Sequence, residues 1–287
     1  MHPQDLIKAG RLTDALVSLQ NLVRTDPANA KYRVFLFQLL SVMGQWGRAL
    51  TQLNVVGELD ADALPMVRTY REAILCEALR ADIFAGKRAP LIFGEPEDWL
   101  GLLVEALRLD AIGREANAAH AAELRAHAFE AAPASSGSID GAAFAWLADA
   151  DVRLAPVLEA VVNGRYCWIP FGALAKVHVE APEDLRDFVW MPAQLEFPNG
   201  GSSVALIPTR YCGVIDAAPG AELLARATAW DELSPDGPLG AQYAGRGQRL
   251  FTTSANEIGL LELRELEIAA PAGDAEAAAA AAGPASG

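Results

Sequence analysis

The sequence predicts an α+β fold, a helical half followed by a mainly antiparallel β half, and three observations carry that prediction. A pattern of small and apolar residues repeats at 34 residues, with Gly10 and Ala15 recurring as Gly44 and Ala49, Leu12 as Trp46 and Leu19 as Leu53. Apolar residues keep helical spacing from there to about residue 132. After Ser138 the period changes to alternation, and turn pairs such as Asn163-Gly164 separate short apolar runs. The chain divides on this reading into a helical domain over 1–134, a β domain over 138–270 and a disordered Ala-rich tail over 271–287.

In the helical half, a 34-residue period with Gly at the turn and Ala at the helix crossing is the pattern of a tetratricopeptide repeat. Each unit is two antiparallel helices, and units must stack to bury their apolar faces, which leaves a groove. The first unit has little room for an opening helix; its second helix covers 13–25, with Leu16, Leu19, Leu22 and Val23 on one face and Pro27 stopping the next turn. The second unit opens near Ala30 and turns Phe35, Leu36, Leu39, Leu40 and Met43 inward before Gly44. Phe37 stands where the repeat normally holds a small residue, which predicts looser packing of that pair. A long helix over 65–84 and a loop over 86–94 follow. Pro96-Glu97-Asp98 opens another helix, because Pro suits the first helical position and carboxylates suit the positive end of the helix dipole. An Ala-rich helix over 114–132 ends in the linker 133–138. First-helix positions line the inner face of a stacked repeat, so Lys31, Val34, Gln38 and Ser41 are the candidate contacts for a partner helix.

In the β half, strands are predicted at 143–147, 157–162, 165–169, 175–179, 188–191, 194–197, 204–207, 249–253 and 260–268. Asn163-Gly164 supplies the positive φ angles of a two-residue hairpin turn, and Asn199-Gly200-Gly201 closes a second hairpin. Gly245-Arg246-Gly247 reads as a turn before 249–253, being too short for a nucleotide fingerprint. Arg165, Arg186, Arg210, Arg226 and Arg249 accompany Trp168, Trp190, Tyr211 and Trp230. These arginines are expected to pair with Asp149, Asp151, Asp184 and Asp187 and lock loops to the sheet. Arg165, Trp168, Arg186, Asp187, Trp190, Arg210, Tyr211 and Arg249 are therefore read as structural, the competing reading being an open surface that stacks rings and forks to carboxylates.

A formal net charge of -14 argues against nucleic acid, which is bound through clustered Lys and Arg, and favours a basic protein partner. Neither a run of 18 apolar residues nor a signal-peptide pattern is present, so the cytoplasm is the expected location. Three widely spaced cysteines suit reduced thiols. No cofactor or metal is expected: Asp149 and Asp151 lack the remaining ligands of a calcium loop, and His120 and His127 lie two helical turns apart. Cys167, His178 and Asp187 can be set out on paper as a nucleophile, base and acid, but no local signature supports the set.

The ordered series of motifs in the second half resembles a known family. Asp149 to Glu159, Asn163-Gly164-Arg165-Tyr166-Cys167-Trp168-Ile169-Pro170-Phe171, Pro182 to Trp190, Pro208-Thr209-Arg210-Tyr211 and Gly245-Arg246-Gly247-Gln248-Arg249 are similar to the ImpE family, also called TagJ, accessory components of bacterial type VI secretion systems. The resemblance spans about Asp5 to Ile268, with Cys212-Gly213-Val214 departing from the usual proline-led turn. It implies a cytoplasmic, non-enzymatic adaptor that binds the N-terminal helix of the small sheath subunit TssB and is connected with the ClpV ATPase, which disassembles contracted sheath. The alternative is a generic tetratricopeptide scaffold or chaperone for another cytoplasmic protein.

Overall fold

The computed structural model describes residues 2–213 and 218–270, the side chains of 114 and 115 excepted. The Ala-rich tail and Val214 of the departing turn lie outside the described residues. Helices α1 (Pro3–Lys8), α2 (Leu12–Thr25), α3 (Ala30–Val42), α4 (Trp46–Leu59) and α5 (Leu64–Phe84) form two hairpins and one long helix. The two hairpin turns are the same device. Gly10 and Gly44 sit at φ 73° and 66°, and the amide after each reaches back five residues, Arg11 N to Leu6 O and Gln45 N to Leu40 O, both at 2.8 Å. Glycine adopts this left-handed conformation without steric cost, and the reach satisfies a carbonyl at the helix end. Ala15 and Ala49 are fully buried, as close helix crossings require. The looser packing expected at Phe37 is not observed: Phe37 is fully buried, and its ring packs on Tyr70 of α5 at 5.6 Å between centroids. The third helix takes up the extra bulk.

The helical run α6 (Asp98–Ala131) breaks at Gly113, whose backbone is non-helical. Its second part folds back on the first, since Arg125 Nη1 reaches Asp110 Oδ2 at 2.5 Å and Ala106, Leu109 and Ala121 bury one another.

The strands are β1 (Leu91–Ile92), β2 (Gly137–Ile139), β3 (Ala142–Phe144), β4 (Leu147–Asp149), β5 (Val157–Val162), β6 (Arg165–Pro170), β7 (Lys176–Val179), β8 (Trp190–Glu196), β9 (Ser202–Pro208), β10 (Thr228–Gly237), β11 (Gly240–Gly247), β12 (Leu250–Thr253), β13 (Glu257–Gly259) and β14 (Glu265–Ile268), with a short helix α7 (Gly220–Leu223) before β10. Nine of them make one sheet in the order β1-β6-β5-β9-β8-β7-β14-β2-β3, antiparallel except for the β1–β6 pair. A three-stranded sheet β13-β12-β4 and the separate hairpin β10–β11 complete the half. Asn163 and Gly164 turn the β5–β6 hairpin at φ 50° and 71°.

Four local expectations are corrected. The loop 86–94 contains β1, which is held by the distant β6. The run 143–147 divides between β3 and β4, which belong to different sheets. The run 260–268 is a strand only at its end, β14, because 260–262 form a turn after β13 and 263–264 are irregular. Gly245-Arg246-Gly247 is the end of β11 rather than a turn, paired with Trp230, Ala229 and Thr228 of β10.

Alternation gives the main sheet two buried faces. On β5 and β6, Val157, Val161, Tyr166 and Trp168 join Trp190 and Leu206 in a core shared with Phe37, Leu40, Tyr70 and Ile74 of the helices. Leu158, Ala160, Cys167 and Ile169 point the other way, into a second core with Met191, Leu195, Phe171, Phe251 and Leu266. The seam between the helical and β halves is thus made of the same close-packed interior as each half.

Candidate interaction surface and the charge ladder beneath it

The concave side of the helical repeat is occupied by the chain's own β half. The 3-10 turn Leu185–Phe188 packs on α3. Its entry is fixed by Asp187, whose carboxylate accepts the Glu183 and Asp184 amides at 2.9 and 2.8 Å and completes a reciprocal cap with Asp184. Arg186 pairs with Asp184 and lies over the Tyr70 ring at 4.7 Å. Trp190 bridges to the helices, its ring packed at a tilt against Trp46 and Tyr70 at 5.6 and 5.8 Å between centroids and its indole N–H donating to Glu77 at 2.9 Å.

Arg210 is buried and reaches the C-terminal end of α3, donating to the Val42 carbonyl at 2.7 Å and to Leu223 O at 2.8 Å. A cation at that end meets both the orphan carbonyls and the negative pole of the helix. Among the described residues Arg210 pairs with no carboxylate, and burial lowers its guanidinium to about 10 despite the attraction of Glu77.

Behind these contacts runs a ladder of buried charges. Glu159 is the one charged residue of β5, and alternation turns it toward α5. Arg80 of α5 grips it in a fork, Nε to Oε1 at 2.7 Å and Nη2 to Oε2 at 2.9 Å. Tyr166 donates its hydroxyl to the same carboxylate, and Trp168 donates to Tyr166 at 2.8 Å. Arg249 then bridges Glu159 to Asp149. Asp149 accepts the Asp151 amide at 2.9 Å, and Asp151 holds Arg153 at 2.5 Å and the Gly245 amide at 2.9 Å. Burial pushes Glu159 up, but Arg80 and Arg249 outweigh it and hold the carboxyl at about 2. Burial dominates at Asp149 and raises its carboxyl to about 7, against the pull of Arg249.

The expected pairing of arginines with aspartates is thus met by Arg249 with Asp149 and by Arg186 with Asp184. Arg165 is exposed and makes no ion pair among the described residues. Arg226 donates instead to the Lys8 carbonyl at 2.8 Å, and Tyr211 is fixed by the Leu250 backbone at 3.0 Å. Sequence reasoning missed Arg80, Arg153 and Glu159. A lone carboxylate inside the apolar run Val157-Leu158-Glu159-Ala160-Val161-Val162 was the available signal.

The four partner-helix candidates are separated by the fold. Gln38 and Ser41 are buried, and the Ser41 hydroxyl donates to Phe37 O at 2.9 Å. This corrects the expectation that they line an open groove, because the β half fills it. Lys31 is exposed and Val34 half-buried at the open end of α3.

Cys167 lies in the second core, whereas His178 and Asp187 border a surface cleft with Glu180, Glu183 and Arg186. The three are not brought together. Among the described residues no group of three or more His, Cys, Asp or Glu side chains is placed to hold a metal, and no helix is long and apolar enough to cross a membrane.

The comparisons with known proteins follow the same division. The family described as ImpE protein matches residues 141–267, and a tetratricopeptide repeat matches 6–73. The crystal structure of protein VPA1032 from Vibrio parahaemolyticus has the same fold, with a TM-score of 0.81 at 21 % identity over 94 % of this chain and 98 % of that one. The type VI secretion system accessory component TagJ of Pseudomonas aeruginosa is 55 % identical over 267 residues, 93 % of this chain and 91 % of that protein. An N-terminal tetratricopeptide-like region, a mainly antiparallel sheet with the ImpE motifs, and that degree of identity together make this chain a member of the ImpE/TagJ family.

Proposed function

We propose that the chain is a non-enzymatic accessory adaptor of a type VI secretion system, acting in the cytoplasm, that binds the N-terminal helix of the small sheath subunit TssB and links the sheath to the ClpV ATPase. The observation that carries this reading is the 55 % identity with the TagJ accessory component over nearly the whole of both chains. The geometry supports it in one respect and redirects it in another. A repeat of helical pairs is a suitable receiver for an amphipathic helix, yet the deep part of the concave face is filled from within. The docking surface is accordingly the open end of α3, where Lys31 and Val34 remain accessible.

Calorimetric titration of the full chain with a synthetic TssB N-terminal helix is expected to show saturable binding. Lys31→Glu and Val34→Ser, each confirmed folded by circular dichroism, are expected to weaken it at least about tenfold, or roughly 1.4 kcal/mol each. A folded chain that does not bind the peptide would remove the adaptor reading. Full affinity in both variants would move the site away from α3.

A further inference from the structure

At the seam between the β10–β11 hairpin and the β13–β12–β4 sheet lies an open cleft of about 310 Å³, lined by Ala150, Trp230, Tyr243, Thr252 and Glu257. Strand register builds it. Trp230 of β10 stands opposite Gly245 of β11, and Tyr243 stands opposite Glu232, so both rings and the Glu232 carboxylate share one face of the hairpin. Gly245 makes the wall possible, since a Cβ there would meet the Tyr211 ring at 2.2 Å. Tyr211 occupies that space and flanks Trp230, with ring centroids 5.9 Å apart and the rings tilted by 50°. Across the seam, Thr252 and Glu257 are directly paired on β12 and β13. Trp230 and Tyr243 nevertheless leave 38 % and 39 % of their surface exposed.

We propose that this cleft is a docking site for an arginine side chain carried by a basic segment of a partner protein. Two aromatic walls present negative π faces to a cation, and a planar guanidinium stacks between rings while forking to a carboxylate, here Glu257 at the rim. Among the described residues the lining contains one carboxylate and no Lys or Arg. The nearest cation along the hairpin, Arg246, is engaged by Asp231 at 3.1 Å. The chain's formal charge of -14 favours approach of a basic segment over an acidic one. Trp230, flanked by Tyr211, costs little ordering on binding. This site is separate from the α3 surface and does not rest on the sheath reading.

The test uses the isotope-labelled full chain and two short probes, N-acetyl-Gly-Arg-Gly-amide and the same peptide with citrulline, which keeps the shape of arginine and removes its charge. The indole N–H resonance of Trp230, identified by its loss in Trp230→Phe, is expected to shift saturably with the arginine peptide in the millimolar range. Citrulline is expected to bind at least about fivefold more weakly. Tyr243→Ala is expected to reduce arginine affinity about fivefold and Glu257→Gln about threefold, with the remaining spectrum unchanged as the check on folding. Equal responses to the two peptides would identify an apolar patch and overturn the proposal. So would an absent or unsaturable shift, or full affinity in both folded variants.

Discussion

Arg249→Met is expected to cost about 3–5 kcal/mol of folding stability, because it strips the shared cation from two buried carboxylates. Arg249, Asp149 and Glu159 all have fully buried side chains, and Arg249 touches both acids. A methionine fills similar volume, so the loss reports the stranded charges rather than a cavity. Arg80 still covers Glu159, but Asp149 is left with only the Asp151 amide. Against a typical total of about 5–15 kcal/mol, a loss of this size leaves a marginal protein. The check is the urea midpoint of the full chain, with Arg226→Ala as the comparison. Arg226 is exposed and donates to one backbone carbonyl, so its removal is expected to shift stability by no more than about 0.5 kcal/mol. Equal midpoints for the two variants would show that the buried Arg249 bridge between Asp149 and Glu159 contributes little to stability.

Neither half is expected to fold by itself when the chain is divided between 134 and 138, where the change of period puts the domain boundary. The helical piece would expose Phe37, Leu40, Tyr70 and Ile74, and the β piece would expose Tyr166, Trp168, Trp190 and Leu206, all of which share one core in the whole chain. The helical piece would also retain Arg80 without Glu159, and the β piece Arg210 without the end of α3. β1 would leave with the helices and uncover the edge of β6. Each piece expressed separately should give poor dispersion in proton–nitrogen spectra and strong binding of an apolar dye, and mixing them should restore part of the native spectrum. Two separately well-dispersed pieces would contradict the shared-core account. The consequence for function is practical: partner binding has to be measured on the whole chain.

What could be read from the sequence was what local chemistry determines. Gly10 and Gly44 announced the repeat because a left-handed residue must end each helix there, and Asn163-Gly164 announced the β5–β6 hairpin for the same backbone reason. Of the motif residues read as structural, Trp168, Trp190 and Arg249 are fully buried, whereas Arg165 is exposed. What escaped was set by distant partners. β1 is two residues long and exists only against β6. β10 carries Asp231, Glu232, Pro235 and Asp236, and its register shifts between Glu232 and Gly237, so it shows no clean alternation. The aromatic cleft depends on that strand and was hidden with it. A repeat pattern puts Gln38 and Ser41 in an open groove because it describes the helices and says nothing of what the rest of the chain lays against them.

Hydrogen exchange of the full chain with and without the TssB helix tests most directly the claim that the deep groove is filled from within and only its rim receives a partner. Added protection is expected at the start of α3, around Lys31 and Val34, with the end of α3 and the Leu185–Phe188 turn equally protected in both states. Loss of protection at that turn and at the end of α3 on binding would contradict it, because the peptide would then be displacing the β half from the groove.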